Sequence, residues 1–320
     1  MRKHAALAVV ALVSVAVAAH ALKSRSRVLC EGFLPVNSMR IPVGDVRAAG
    51  IAEAQFNATL DRVQEVYGPI IAARGGQLDI QRLWDDATVN ASAIQNGKTW
   101  TINMYGGLAR HAAVNADGFA LVACHELGHH LGGFPKIAGD DWATNEGGAD
   151  YFATLKCLRR VLPAKNPSSV DKVAKAGCDG VYKSASDRAA CARGTMAGVS
   201  VSSLLAELGG DKKPQLDTPD ASEVATTDDS HPAAQCRLDT YFQAAMCAKK
   251  VDEDQTAGEP ATGACTKTQG FAVGLRPKCW YKPAVGAEST DAVARLNLTS
   301  PKALQERLDS LRGALSGRGI

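Results

Sequence analysis

An α+β fold is what this sequence predicts, and three observations predict it. Apolar residues recur at helical spacing over residues 51–67, alternate with polar ones over residues 78–105, and return to helical spacing from Phe119 onward. The expected order is a helix, a small antiparallel sheet and further helices, with a helical, cysteine-containing part closing the chain.

Ahead of these elements, Arg2, Lys3 and His4 form a basic start, residues 5–19 an apolar run, and Ala19-His20-Ala21 a small-x-small cleavage site. Residues 1–21 therefore read as a signal peptide, which places the remainder outside the cytoplasm, periplasmic or secreted. An uncleaved anchor is the alternative, and it is the one membrane contact the sequence offers. No later stretch approaches the roughly 20 apolar residues that a membrane span needs. The net charge is +3 at pH 7 and two of the cations lie in this leader. With no basic stripe carrying interleaved aromatics, nucleic acid is not an expected partner.

In order, residues 51–67 predict a helix stopped by Gly68-Pro69. Residues 78–84 and 88–95 predict strands, and Asn96-Gly97 a tight turn into a third strand at residues 99–105, closed by Gly106-Gly107. Residues 115–118 predict a turn in which Asp117 caps the next helix, residues 119–131, ended by Gly132-Gly133. Residues 151–162 continue a further helix that begins at Glu146.

The chemistry gathers on these last two helices. His125-Glu126-Leu127-Gly128-His129 puts two imidazoles one turn apart on one helix face, with Glu126 between them. Seventeen residues beyond His129, Glu146 and Asp150 lie one turn apart on the next helix, in a chain with five histidines after Ala21. Glu146 completes a His-His-Glu donor set suited to one Zn²⁺ per chain. Asp150 is placed to accept the second ring N–H of a ligating histidine. Glu126 is the candidate general base. By the helical period His130 points away from the ligand face and is structural or exposed, and His111 has no assignable role.

With these residues the sequence resembles the gluzincin metallopeptidases, and among them the CAAX prenyl protease and HtpX-like family. The ordered pieces are Val89-Asn90-Ala91, Gly106-Gly107-Leu108, the histidine pair with Glu126, Glu146 with Asp150, and Ser230-His231-Pro232 followed by Arg237. The short interval to Glu146 is closer to thermolysin-like gluzincins. The resemblance implies a zincin-like fold and hydrolysis of protein or peptide substrates by a soluble, exported relative. It also places His231 near the cleft, at a reaction oxyanion or at the open zinc position; the alternative is a histidine that simply precedes Pro232 at a helix start. Arg237 is expected to brace its helix beside Asp150. The strand at residues 99–105, taken as the sheet edge, is expected to bind extended peptide by strand addition, making Thr101, Asn103, Tyr105 and Gly107 the substrate contacts.

Residues 22–250 thus form the expected metallopeptidase domain, with residues 209–231 a polar, flexible loop that either covers the cleft or links elements. Residues 251–320 form a turn-rich extension in which Ser300-Pro301 opens a last helix bearing Leu304, Leu308, Leu311 and Leu315. Nine cysteines, Cys30 to Cys279, read as a disulfide framework. Cys124, inside an apolar run, is the expected unpaired thiol, while Cys178 with Cys191 and Cys265 with Cys279 are expected local bridges. No C-x-x-C pair occurs to suggest a second zinc site. Two functions are compatible with these features: an active endopeptidase, or a zinc-binding but non-hydrolytic envelope factor. The presence of Glu126 favours the first.

Overall fold

The structure is a computed structural model and describes residues 32–284. The signal peptide expected at residues 1–21, Cys30, and the last helix expected from Ser300 lie outside the described residues.

Helix α1 (Glu53–Ala73) buries Phe56, Leu60, Val63, Tyr67 and Ile71, a stripe at spacings of three and four. It runs through Gly68-Pro69, where the sequence predicts a stop. Pro69 and Glu65 are exposed, so water serves the carbonyl that the missing Pro69 N–H leaves open, and the added turn carries Ile71 into the core.

Strands β1 (Gln77–Leu83), β2 (Ala91–Asn96) and β3 (Thr99–Tyr105) follow. The hairpin turn is Gly97-Lys98, with Gly97 at a φ of 58°, and Asn96 still pairs with Thr99. The sheet is mixed and not purely antiparallel. Its order is β1-β3-β2, with β3 antiparallel to β2 and parallel to β1. Alternation reports which side chains face the core, whereas the insertion of β3 between β1 and β2 is a tertiary choice. Because β3 is bonded on both sides, residues 101–105 have no open backbone edge, and the expected strand addition there is corrected: β1 and β2 are the edges, with β1 against α1 and β2 against the longer helix that follows the sheet. The Thr101 hydroxyl bonds Asp79 and the Asn103 amide bonds Ser92, both within the sheet. Gly106 and Gly107 begin a short helix, α2 (Gly106–Arg110), and Gly107 packs against the Ala87 backbone.

Helix α3 (Ala116–Leu131) is buried continuously from Gly118 to Leu131, on all its faces. It is enclosed by α1, the sheet and the helices that follow. Its N-cap is Asn115, whose side chain accepts from Gly118 N at 2.8 Å. Asp117, expected in that role, instead forms a two-pronged pair with Arg193 at 2.6 and 2.7 Å.

After α3 comes α4 (Glu146–Phe152), which continues through a π-turn (Ala153–Cys157) into α5 (Leu158–Val161). Helices α6 (Lys172–Val181), α7 (Ala185–Gly209) and α8 (Ala234–Met246) complete the helical layer. Residues 211–230 carry neither helix nor strand but are tied down by their backbone. Val224 N donates to Lys278 O, Asp228 N to Trp280 O, and Asp220 N to Asp239 Oδ2, at 2.7 to 2.9 Å. Among the described residues no helix is long and apolar enough to cross a membrane.

Among the described residues four disulfides join Cys124 to Cys157, Cys178 to Cys191, Cys236 to Cys279 and Cys247 to Cys265. The Cys178–Cys191 bridge is as expected. Two expectations are corrected: Cys124 is not an unpaired thiol, and Cys265 does not pair with Cys279. The apolar run around Cys124 suits a buried bridge as well as a buried thiol, and α3 packs beside the α4–α5 run so that Cys124 and Cys157, 33 residues apart, reach a Cα separation of 5.5 Å; Cys265 with Cys279 was favoured by sequence proximity alone. Replacing Cys124 and Cys157 together by alanine is expected to lower the unfolding free energy by about 3 kcal/mol, read by urea titration.

Candidate metal centre

Three donors from two helices meet inside the core. His125 and His129 project from α3, and Glu146 is the first residue of α4. The Asn145 side chain caps α4 by accepting from Gly148 N at 2.9 Å, and its own amide donates to Asp228 O, which fixes where the helix starts. Gly128 lets the helices touch: a Cβ there would lie 2.7 Å from Ala149 O. His125 Nε2 then stands 3.2 Å from Glu146 Oε2, and His129 Nε2 3.6 Å from Glu146 Oε1. One ligand atom from each of the three lies within 4.8 Å of the others, a separation that suits convergence on one cation.

The second nitrogens of both rings are engaged. His129 Nδ1 is 2.8 Å from Thr144 O, and a carbonyl only accepts, so Nδ1 carries the proton and Nε2 presents its lone pair. His125 Nδ1 is 2.7 Å from Asp150 Oδ1. Asp150 accepts further bonds from Arg237 Nε at 2.7 Å, Arg237 Nη2 at 2.8 Å and the Tyr241 hydroxyl at 2.7 Å. Although burial alone would raise the Asp150 pKa, Arg237 and His125 outweigh it and hold the carboxyl ionised. Asp150 therefore does what its spacing predicts, and Arg237 braces the site through it.

The remaining side chains sort cleanly. Glu126 is fully buried, and neither carboxylate oxygen has a hydrogen-bond partner within the described residues. Burial pushes its carboxyl up to about 8. His231 precedes α8 and reaches the site, with Nε2 3.6 Å from Glu146 Oε2 and 2.6 Å from Gly32 O. It therefore both precedes Pro232 ahead of the helix and lies close to Glu146. His130 is buried, stacked between Trp100 and Trp142, and close to Thr101 O, so the structural alternative holds. Thr101, Asn103, Tyr105 and Gly107 belong to the sheet and to α2 and are not among the converging donors.

Tyr241 and Thr144 escaped the sequence reading. Tyr241 lies one turn after Arg237, a spacing that marks a shared helix face. Phe33, which packs edge-on against His125 at 4.9 Å between centroids, carries no signal in its local sequence.

The donors fit a metal ion. His125 Nε2 and Glu146 Oε2 are buried and face each other at 3.2 Å without a well-formed hydrogen bond, an arrangement that a cation taking both lone pairs would complete. Two imidazoles and a carboxylate are a donor set that zinc accepts, with a fourth position open. A second grouping, Asp220 with Cys236 and Cys279, is no such site, since both sulfurs are spent in a disulfide.

Comparisons with protein-family models, with curated proteins and with solved structures gave no match to this chain.

Without a cation, burial opposes the charged form of His125, but Asp150 and Glu146 outweigh it and raise its pKa to about 9. A metal must displace that proton, so affinity is lost as pH falls below the raised value. Zinc affinity is expected to fall about tenfold per pH unit between pH 8 and 6, with one proton released per ion in calorimetry. Asp150→Asn leaves the Arg237 charge buried and unpaired. It is expected to cost about 3–5 kcal/mol of stability and to weaken zinc binding about 10–100-fold, read by denaturation and by chelator competition.

Proposed function

We propose that the chain is a zinc metalloendopeptidase acting on proteins outside the cytoplasm, with His125, His129 and Glu146 as metal ligands and Glu126 as general base. The observation that carries this reading is the partnerless carboxylate of Glu126 beside three convergent donors. Burial raises the proton affinity of that carboxyl, as suits a group that takes up a proton and returns it. The resemblance to gluzincins supports the same assignment.

Zinc at this donor set would polarise a scissile carbonyl and acidify a water. The chain's own groups do the rest. Glu126 accepts a proton from the attacking water and delivers it to the leaving nitrogen. His231 Nε2–H donates to the carbonyl oxygen as negative charge develops there. Asp150, itself oriented by Arg237 and Tyr241, keeps the His125 ring turned so that Nε2 faces Glu146. The signal-like residues 1–21 and four disulfides support an exported location.

A second reading is favoured by one observation: His125, Glu126 and His129 are all fully buried. On that reading the chain binds zinc for structure and holds other proteins without cutting them. Glu126→Gln separates the two. It is expected to retain one zinc per chain and to lose about 10²–10⁴-fold in hydrolysis of an unfolded protein. Equal cleavage by both forms overturns the role of Glu126, and zinc bound without cleavage by the unsubstituted chain favours the holding function.

A further inference from the structure

Residues 32–34 pack against the candidate metal centre, and this bent segment is held by hydrogen bonds to the start of β2 and to groups of the site. Phe33 N donates to Ala91 O at 2.9 Å, at the start of the edge strand β2. Leu34 N donates to Asn90 Oδ1 at 2.9 Å, and Asn90 Nδ2 returns a bond to Leu34 O at 3.2 Å. One backbone bond and two bonds to the Asn90 side chain thus anchor the segment beside the first residue of β2.

The carbonyls on either side of Phe33 meet groups of the site itself. Gly32 O accepts from His231 Nε2 at 2.6 Å, and Phe33 O from Arg237 Nη1 at 2.7 Å. The Phe33 ring is wholly buried, edge-on to His125 and 4.3 Å below the Arg237 guanidinium. Gly32 has a φ of 113°, and a Cβ there would lie 2.7 Å from both Ala91 O and the Asn90 amide nitrogen, so the backbone approaches closely only as glycine. Packing alone would account for the apolar rings of Phe33 and Leu34. It does not account for the Gly32 carbonyl meeting His231, the side chain that stands beside Glu146.

We propose that the Gly32–Phe33 peptide bond is a self-processing site, held in the cleft as the chain's own substrate. The inference rests on the peptidase reading above. Water adds its oxygen to the Gly32 carbonyl carbon, the bond to Phe33 nitrogen breaks, and Glu126 carries the water's proton to that nitrogen. The products are a chain ending in the Gly32 carboxylate and a chain beginning with the Phe33 amine. Departure of the former frees His231, which Gly32 O had engaged, while Phe33 and Leu34 keep their contacts and continue to fill the slot along β2.

The test is the N-terminal mass of the full zinc-loaded chain, unsubstituted and as Glu126→Gln, followed with time beside hydrolysis of an added unfolded protein. The unsubstituted chain is expected to begin at Phe33, while Glu126→Gln keeps the bond intact. A readout free of catalysis uses a fluorescent Ala-Gly-Phe-Leu peptide on Glu126→Gln with and without Phe33→Gly. Emptying the slot is expected to tighten peptide binding about tenfold or more. A chain that digests the added protein while its Gly32–Phe33 bond stays whole overturns self-processing and leaves the peptidase reading standing. A chain that cuts neither itself nor the added protein overturns both. Equal peptide affinity with and without Phe33 overturns occupancy of the cleft; should Phe33→Gly fail to fold, the mass measurement on the unsubstituted chain decides.

Discussion

Asp150 is an ionised carboxylate without access to water, and it is kept so by four donors: two from Arg237, one from Tyr241 and one from His125. Desolvating a carboxylate and a guanidinium costs several kcal/mol per ion, so neither group can occupy this position without the other. The pair joins α4 to α8, and through His125 it joins both to α3. Arg237 also holds Phe33 O, which brings the first described residues onto the same centre. Segments from positions 33, 125, 150 and 237 are thereby set at one point, and the geometry of the metal donors follows from that arrangement.

The surrounding packing protects this constraint from both sides. Gly128 admits the α4 backbone against α3, and the Cys124–Cys157 bridge ties the same two elements one residue away from His125. The N-terminus of α4 is set by Asn145, whose amide is held by the backbone of the 211–230 segment. That segment is in turn bonded along residues 278–282. The irregular part of the chain thus acts as a buttress for the helix that presents Glu146, and the Cys236–Cys279 bridge closes the loop back to α8.

Burial gives the centre its proposed chemistry and its guard. A carboxylate such as Glu126 keeps a high proton affinity because no donor among the described residues offsets its desolvation. Phe33 packs beside the centre and bonds Ala91 O of β2, an edge strand because β3 took the central place in the sheet. The mixed sheet is therefore more than a topological detail. It decides which backbone is available to a peptide, and the proposed self-processing follows from the chain having used that edge for itself.

Although α6 and α7 were not foreseen, periodicity marked α1, α3, the α4–α5 run and the strands, and two short motifs marked the three converging side chains and Asp150. This is because each depends on residues within one or two helical turns, where spacing and geometry are nearly the same thing. Glycine positions and apolar stripes likewise reported α1 and α3, though the Pro69 stop and the Asp117 cap were misjudged once packing and Arg193 intervened. Strand order, the Cys124–Cys157 bridge, the engagement of Tyr241 and the seating of Phe33 were decided only in three dimensions. Each joins groups separated by many residues, and their meeting depends on how whole helices pack around a buried charge, for which a linear pattern carries no term.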